Sequence, residues 1–421
     1  MDKFKLSLKL DEIGLNAKKA QSEIAFSKHS IRNKALINIA SNLRQNIKEI
    51  ISINKKDVLN ATKKKLKDSF IDRLILNPSR VEGMAKSLED ISNLKDPLGK
   101  NLSSWVRPNG LKISRVSTPI GVIGFIYESR PNVTVDASGL AIKSGNSVIL
   151  RSGSDSFETC NFVSKIIRIS LNEVGLEENV VQMIPTKERE AVGYLLKMSD
   201  FIDVIIPRGG RSLVERVQKE AKVPVFSHLE GVCHTYIDRY ADLQKAISVT
   251  VNAKMRRTGI CGATETLLID KEISSKFLPP IANALKKLGC NLIGDEQSKE
   301  ILSEINLANE KDWSTEYLSA DLSIKVVDDV YDAIKHISKY GTQHTEAIIT
   351  EDKKNSKIFT SMVDSAIVMI NTSTQFADGG EFGLGAEIGI ATGRLHARGP
   401  VGANQLTSFK YVVHGSGQIR P

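Results

Sequence analysis

Apolar residues in the first hundred positions recur at helical spacing. Leu36, Ile39, Ala40, Leu43, Ile47, Ile50 and Ile51 fall on one stripe, the pattern of a helix with one buried face. Asn77-Pro78 reads as a helix start, with Asn as cap and Pro in the first turn. Val81, Met84, Ala85, Leu88 and Ile91 form the next stripe, and Asp96-Pro97-Leu98-Gly99 closes the helical region.

The pattern then changes. From Trp105 to Val116 two short extended arms flank Asn109-Gly110, a strong hairpin-turn signal. An isolated hairpin is marginal in water, so this one is expected to pack on something else, such as another subunit. From Ile120 to Ile237 short apolar runs alternate with amphipathic segments. Strands are expected at 121–126, 147–150, 180–184, 203–206 and 235–237. This alternation is the βαβ signature of a parallel sheet covered on both faces. It restarts after a helix around 241–254, with strands expected at 264–269, 324–327, 347–350 and 366–370 and a helix at Val330–Tyr340. The expected fold class is therefore α/β, with two doubly wound domains. A glycine-rich stretch precedes an extended tail, 408–414, that can pair with a sheet edge.

The chain has 421 residues, 41% hydrophobic and 25% charged, an ordinary composition for a soluble protein of two or three domains. The net charge of +9 favours anionic partners in general. Much of it lies in lysine-rich N-terminal segments such as Lys63-Lys64-Lys65, without interleaved aromatics, which reads as a solvated helix face rather than a nucleic-acid surface. Four widely spaced cysteines, 160, 233, 261 and 290, contain no Cys-x-x-Cys pair, which argues against zinc and fits a reducing cytoplasm. The N-terminus has no signal-peptide pattern, and no run of about 18 apolar residues suggests a membrane span.

Two loops suit phosphate. Arg151-Ser152-Gly153-Ser154 follows one expected strand, and Pro207-Arg208-Gly209-Gly210-Arg211 follows another and precedes a helix. Backbone N–H groups at such positions bind anions. Neither is a Gly-x-Gly-x-x-Gly or Walker loop. Cys261 lies between an expected helix and strand, with Arg256 and Arg257 upstream and Gly259 and Gly262 on either side. Nearby cations favour a thiolate, and the glycines leave room for a substrate. Taken alone, such a cysteine reads more readily as a small core residue.

Several motifs together resemble one family. Lys254-Met255-Arg256-Arg257-Thr258-Gly259-Ile260-Cys261-Gly262-Ala263-Thr264-Glu265 resembles the active-site cysteine segment of the gamma-glutamyl phosphate reductases, a branch of the aldehyde dehydrogenase superfamily. Tyr340-Gly341-Thr342-Gln343-His344-Thr345-Glu346 is similar to a signature of that branch. So are Tyr127 to Asn132, Ile206 to Gly210, Phe376 to Gly389, and Leu395 to Pro400. The similarity runs nearly end to end. Met255-Arg256 and Gly262 depart from the residues common in the family, Thr-Gln and Asn.

The resemblance implies an aldehyde dehydrogenase-like fold. A cofactor domain would comprise 1–104 and 119–238, a catalytic domain 239–407, and an oligomerisation element 105–118 with 408–421. It implies NADPH-dependent reduction of L-glutamyl 5-phosphate to glutamate 5-semialdehyde through a thioester on Cys261, the second step of proline biosynthesis. Arg130 or Asn132 would help the Cys261 backbone N–H hold the oxyanion. Arg151, Ser152 and Ser154 would lie at the adenosine ribose, and Arg208, Gly209 and Gly210 at the pyrophosphate or 2′-phosphate. Glu316 would take the nicotinamide ribose, and Arg256, Arg257, Asn371, Ser373 and Thr374 would line the substrate site. His344 and His396 are expected to be structural. No metal is implied. The expected partners are the acyl-phosphate substrate, further copies of the chain as a dimer or tetramer, and glutamate 5-kinase in a transient complex. Neither nucleic acid nor membrane is expected, and the expected location is the cytoplasm. Hydrolytic members of the superfamily carry a glutamate that activates water. Leu229 stands at that position here, beside Glu230.

The competing readings are a hydrolytic or CoA-acylating aldehyde dehydrogenase, which would use the same thiol, and a basic nucleic-acid-binding protein, which would not need Cys261. Phosphate dependence separates the first from the reductase. Salt-sensitive DNA binding would mark the second.

Overall fold

The computed structural model describes residues 3–66, 68–226 and 230–420. It comprises two compact units. One is Met1–Ser227 with Gly383–Gly389 and Val401–Pro421; the other is His228–Phe382 with Ile390–Pro400.

In the first unit the helical stripes form as the spacing requires, but as two helices. His29–Gln45 and Ile47–Lys63 meet at Asn46. Leu36, Ile39, Ala40, Leu43 and Ile50 are all fully buried. Helix Pro78–Asn93 starts at Asn77, whose side chain accepts from the Arg80 N–H at 2.8 Å. These helices pack on helices Asn132–Lys143 and Phe157–Glu173, which in turn cover a four-stranded parallel sheet. Its order is Val181–Met183, Ser147–Arg151, Val122–Tyr127, Val204–Arg208. Three of the four strands are buried at every position, and the fourth up to its last residue, so alternation is absent and the strands read as continuous apolar runs. The order reverses between Val122–Tyr127 and Val204–Arg208. The carboxyl ends on either side of such a reversal are where open α/β sheets bind ligands.

The hairpin is present as Asn101–Val106 paired with Lys112–Pro119. Its turn is wider than a two-residue turn. The Gly110 N–H donates to the Arg107 carbonyl and the Arg107 N–H to Leu111, so Pro108 and Asn109 take the corner. Gly110 has φ +86, a conformation that favours glycine. The tail strand Thr407–His414 pairs with the second arm over its whole length and completes a three-stranded antiparallel sheet. Trp105, Tyr411 and Phe409 form an edge-to-face series, and the Arg115 guanidinium lies over Phe409 at 3.9 Å from the ring centroid. All six residues of Asn101–Val106 are exposed.

The second unit is built on a seven-stranded parallel sheet, in the order Asn306–Leu307, Asn291–Gly294, Asp321–Val327, Thr264–Asp270, Cys233–Ile237, Thr345–Ile349, Ile367–Ile370. Two strands, 291–294 and 306–307, carry too few apolar residues to have been expected. One expected strand changes sheets. The run 235–237, grouped by its position with the first alternation, lies in the second sheet between Thr264–Asp270 and Thr345–Ile349. A parallel strand buried on both faces does not encode which sheet it joins. Neighbouring side chains feed opposite faces. Ile237, Leu267 and Ile269 enter one core with Leu278, Ile281 and Ile324, while Tyr236 and Leu268 enter another with Ile334, Ile348 and Phe359. Helix Lys271–Lys286 carries Pro279 and Pro280 inside it, an exception to the rule that proline breaks helices. Helix Val330–Tyr340 forms at the expected bounds. Among the described residues no helix is long and apolar enough to cross a membrane.

Candidate active site

In the second unit helix Leu243–Met255 starts at Asp242, whose carboxylate accepts from the Lys245 N–H at 2.8 Å. It ends before a loop, 256–263, that returns the chain to strand Thr264–Asp270. Lys254 and Glu265 bracket this loop, and their side chains form an ion pair with no exposed surface on either partner. Glu265 also accepts from the Leu318 N–H at 3.3 Å. Burial pushes the Glu265 pKa up to about 7, against the pull of Lys254. Apposing charges in a dry interior is costly unless the geometry is good, so the pair acts as a staple across the loop's base.

Cys261 sits at the loop's tip, half-buried. Its backbone is packed from one side by Gly231, where a Cβ would lie 2.2 Å from the Cys261 carbonyl oxygen and 2.8 Å from its Cβ. Only glycine fits there. The Gly231 N–H donates to Glu316 Oε1 at 2.9 Å, so Glu316 holds the 230–231 segment against the loop. From the other side, a Cβ at Gly262 would lie 3.2 Å from the Thr374 carbonyl oxygen, a tight contact that a side chain would have to push aside. Beneath the loop runs a hydroxyl chain. Thr264 Oγ1 lies 2.7 Å from Thr235 Oγ1 and 3.0 Å from Thr374 Oγ1. The Cys233 thiol donates to the Cys261 carbonyl at 3.1 Å.

Cys160, Cys233 and Cys290 are buried. Burial raises all three thiol pKa values, Cys290 to about 11. Cys261 is the least buried thiol of the four. It lies at the amino-terminal edge of the strands, not at the carboxyl edge where open α/β sheets usually bind ligands.

The expected substrate residues divide. Arg256, Asn371 and Ser373 line a pocket of about 290 Å³. Asn371, at φ +55, has its amide committed. Its Oδ1 accepts from the Thr350 N–H at 2.9 Å and its Nδ2 donates to the Thr350 carbonyl at 2.8 Å. Arg257 is exposed, and its carbonyl accepts from Gln375 Nε2 at 3.4 Å. Thr374 is fully buried in the hydroxyl chain. Gln375 carries no expected role, yet it ties the loop to this segment, donating also to the Ala253 carbonyl at 2.8 Å and accepting from Arg256 at 3.3 Å. The other pocket residues without an expected role include Ser248, Asn252 and Glu381. Ser248, Asn252 and Arg256 are four apart, a helix-face spacing that could have flagged them. His344 is buried, with Nδ1 2.9 Å from Thr345 Oγ1 and 3.5 Å from the Cys233 sulfur. His396 is exposed. Leu229 lies outside the described residues.

In the first unit the reversal of strand order brings Tyr127 opposite Arg208. Glu128, to which the sequence reading gave no role, spans the gap. Its N–H donates to the Arg208 carbonyl at 3.1 Å and its carboxylate accepts from the Gly210 N–H at 2.9 Å. Gly210 caps helix Arg211–Glu220, so Glu128 places negative charge at a helix N-terminus. A Cβ at Gly209 would lie 2.5 Å from that carboxylate. The Arg208 guanidinium passes Gly389, where a Cβ would come within 3.2 Å. Arg151 ends its strand 7% exposed and donates from one terminal nitrogen to the Lys187 and Glu188 carbonyls at 3.3 and 3.4 Å. Its Nε and the Ser152 hydroxyl are buried without a hydrogen-bond partner. An unpaired arginine Nε–H and an unpaired serine hydroxyl at a strand's carboxyl end fit a ribose or phosphate. Ser154 is exposed and donates to Asp155 at 3.5 Å; Asp155 in turn faces Lys64 at 3.4 Å. Arg130 accepts from the Val133 N–H through its carbonyl. Asn132 opens helix Asn132–Lys143, exposed, with its amide on Asp136 at 3.1 Å. Among the described residues no cluster of His, Cys, Asp and Glu is placed to hold a metal.

One unit carries a seven-stranded parallel sheet with the Cys261 loop at its amino edge, and the other a four-stranded parallel sheet with the Arg151 and Arg208 loops at its carboxyl edge. Residues 8–301 match the aldehyde dehydrogenase family. Gamma-glutamyl phosphate reductase of Rhodospirillum rubrum is 55% identical over 97% of this chain and 96% of its own, and that of Paramagnetospirillum magneticum 51% over 98% and 97%. The crystal structure of gamma-glutamyl phosphate reductase from Thermotoga maritima is 44% identical, with a TM-score of 0.96 over 98% of this chain and all of that one. The chain belongs to the aldehyde dehydrogenase family and, within it, to the gamma-glutamyl phosphate reductases.

Proposed function

We propose that the chain reduces L-glutamyl 5-phosphate to L-glutamate 5-semialdehyde with NADPH, releasing phosphate, as a step in proline biosynthesis. The observation that carries this reading is Cys261. It is the least buried of the four thiols, on a loop stapled at its base by Lys254–Glu265 and backed by a glycine that tolerates no side chain. The Cys261 sulfur attacks the acyl carbon; the carbon–sulfur bond forms as the acyl carbon–oxygen bond breaks, and phosphate leaves as a stable anion. The Cys261 backbone N–H, with Arg130 or Asn132, stabilises the oxyanion of the tetrahedral species.

Arg151, Ser152 and Ser154 would hold the adenosine end of NADPH, Arg208, Gly209 and Gly210 its phosphates, and Glu316 its nicotinamide ribose. Bound NADPH supplies the hydride that takes the acyl group to the aldehyde level. The remaining work belongs to the protein: Glu316 and Gly231 fix the loop's position, and the pocket beside Arg256 receives the substrate chain. The exposed aromatic face of the three-stranded sheet joins copies of the chain into a dimer or tetramer.

The test is NADPH oxidation with glutamyl phosphate made in situ from glutamate and ATP by an added kinase. Oxidation that needs both kinase and ATP, and is lost in Cys261→Ser, supports the reading. Oxidation that persists in Cys261→Ser overturns it.

A further inference from the structure

The pocket of about 290 Å³ has two walls. One is the face of helix Leu243–Met255 bearing Ser248, Asn252 and Arg256; the other is the segment from Asn371 to Glu381. Most polar groups of the second wall are already satisfied. The Asn371 amide is held by Thr350, the Ser373 hydroxyl accepts from the Gln375 N–H at 3.3 Å, and the Gln375 amide spans Ala253, Arg256 and Arg257. The lining then offers two formal charges of opposite sign, Arg256 and Glu381. Only one Arg256 nitrogen is engaged by Gln375, at 3.3 Å, which leaves the rest of its planar fork of donors for a carboxylate. Glu381 is exposed at the rim, on a turn fixed by Asp378, whose Oδ1 accepts from the Gly380 and Glu381 N–H groups at 2.8 and 3.3 Å.

One cation and one anion in a small pocket match a zwitterion; a ligand of single charge leaves one of them unanswered. The same wall touches the nucleophile's loop, since the Thr374 carbonyl and the Ala377 side chain pack on Gly262. The segment that lines the pocket therefore also backs the loop that carries Cys261. We propose that this pocket reads the α-amino-acid head of the substrate, Arg256 pairing with the α-carboxylate and Glu381 with the α-ammonium. The inference rests on the acyl-transfer reading above for its substrate, but not for its geometry.

The crossed test uses three aldehydes with NADP+ and phosphate: glutamate semialdehyde, 5-oxopentanoate, which lacks the amine, and 4-aminobutanal, which lacks the carboxylate. Glu381→Gln should raise KM about tenfold for the two amines, leaving 5-oxopentanoate and every kcat within about threefold. Arg256→Gln should raise KM for the two carboxylates and spare 4-aminobutanal. Equal effects on all three aldehydes, or none, would overturn the assignment. Because Arg256 also touches Gln375, the exposed Glu381 variant is the arbiter if Arg256→Gln is poorly folded. Calorimetry with L-glutamate and glutarate separates this claim from the reaction itself. A wild-type preference for L-glutamate that Glu381→Gln abolishes upholds the pocket even if no aldehyde turns over, and a preference that survives the substitution refutes it.

Discussion

Lys254 and Glu265 close a buried ion pair across the base of the loop that carries Cys261. Removing Lys254 takes away the cation that favours the ionised Glu265 carboxylate and leaves a buried carboxyl without its partner. Lys254→Met should cost about 3–5 kcal/mol, whereas replacing both by apolar residues, as in Lys254→Met with Glu265→Leu, should recover most of that loss. Chemical denaturation of the single and double variants checks this. If the pair also positions the loop, the double variant will be stable yet slow, with its loss in kcat rather than in folding.

Cys261→Ser should abolish turnover and leave the fold and NADPH binding intact. Cys160, Cys233 and Cys290 should each be replaceable as nucleophiles, though Cys233→Ser, beneath the loop, will have some effect on stability. Residual activity above about a tenth of wild type would mean that only ~1.4 kcal/mol of barrier depended on the sulfur, which a covalent mechanism does not allow.

The Cys261 loop was legible through the motifs elsewhere in the chain, because glycines and arginines around a lone cysteine also suit a core residue. The hairpin was legible because Asn109-Gly110 has few other uses, and the strands because both their faces are apolar. What the sequence could not encode was partnership. The strand at Cys233–Ile237 looks like its predecessors and pairs instead with the catalytic sheet. Thr374, placed by sequence at the substrate, is turned inward to Thr264. Gly231, Gln375 and Glu128 act on residues 30, 118 and 80 positions away or more, and no local pattern announces such contacts.

Cofactor choice follows from the Arg151 loop. Ser154 faces Asp155, and Asp155 faces Lys64, so the carboxylate next to Ser154 has a cation opposite it. NADPH should be preferred over NADH, and Arg151→Glu should lower that preference at least about tenfold. Arg151 is buried, so thermal melts of this variant and of Arg151→Gln must accompany the kinetics. Equal kcat/KM for the two cofactors in the wild type would refute the assignment.

His336 is 5% exposed, packed edge-on against Trp313 and His234 and tilted against Tyr340. Burial, with His234 and two lysines adding, pulls its pKa from 6.5 to about 2. Below pH 6.5 the unfolded chain takes up a proton that the folded protein refuses. The stability contributed by the neutral ring is therefore complete above that pH and is lost as pH falls toward the folded value, by about 2 kcal/mol at pH 5. Urea denaturation from pH 7.5 to 5 should show this slope, and His336→Phe should flatten it.

The reverse reaction distinguishes an acyl phosphate reductase from a hydrolytic dehydrogenase. On the proposed reading Leu229 takes the place of the water-activating glutamate of hydrolytic aldehyde dehydrogenases, so water should compete poorly for the Cys261 thioester, while phosphate is already anionic at neutral pH. NADP+ reduction by glutamate semialdehyde should depend strictly on phosphate, or on arsenate in its place, with little glutamate formed without either. Rapid NADPH formation in phosphate-free buffer, with glutamate as the product, would contradict the account.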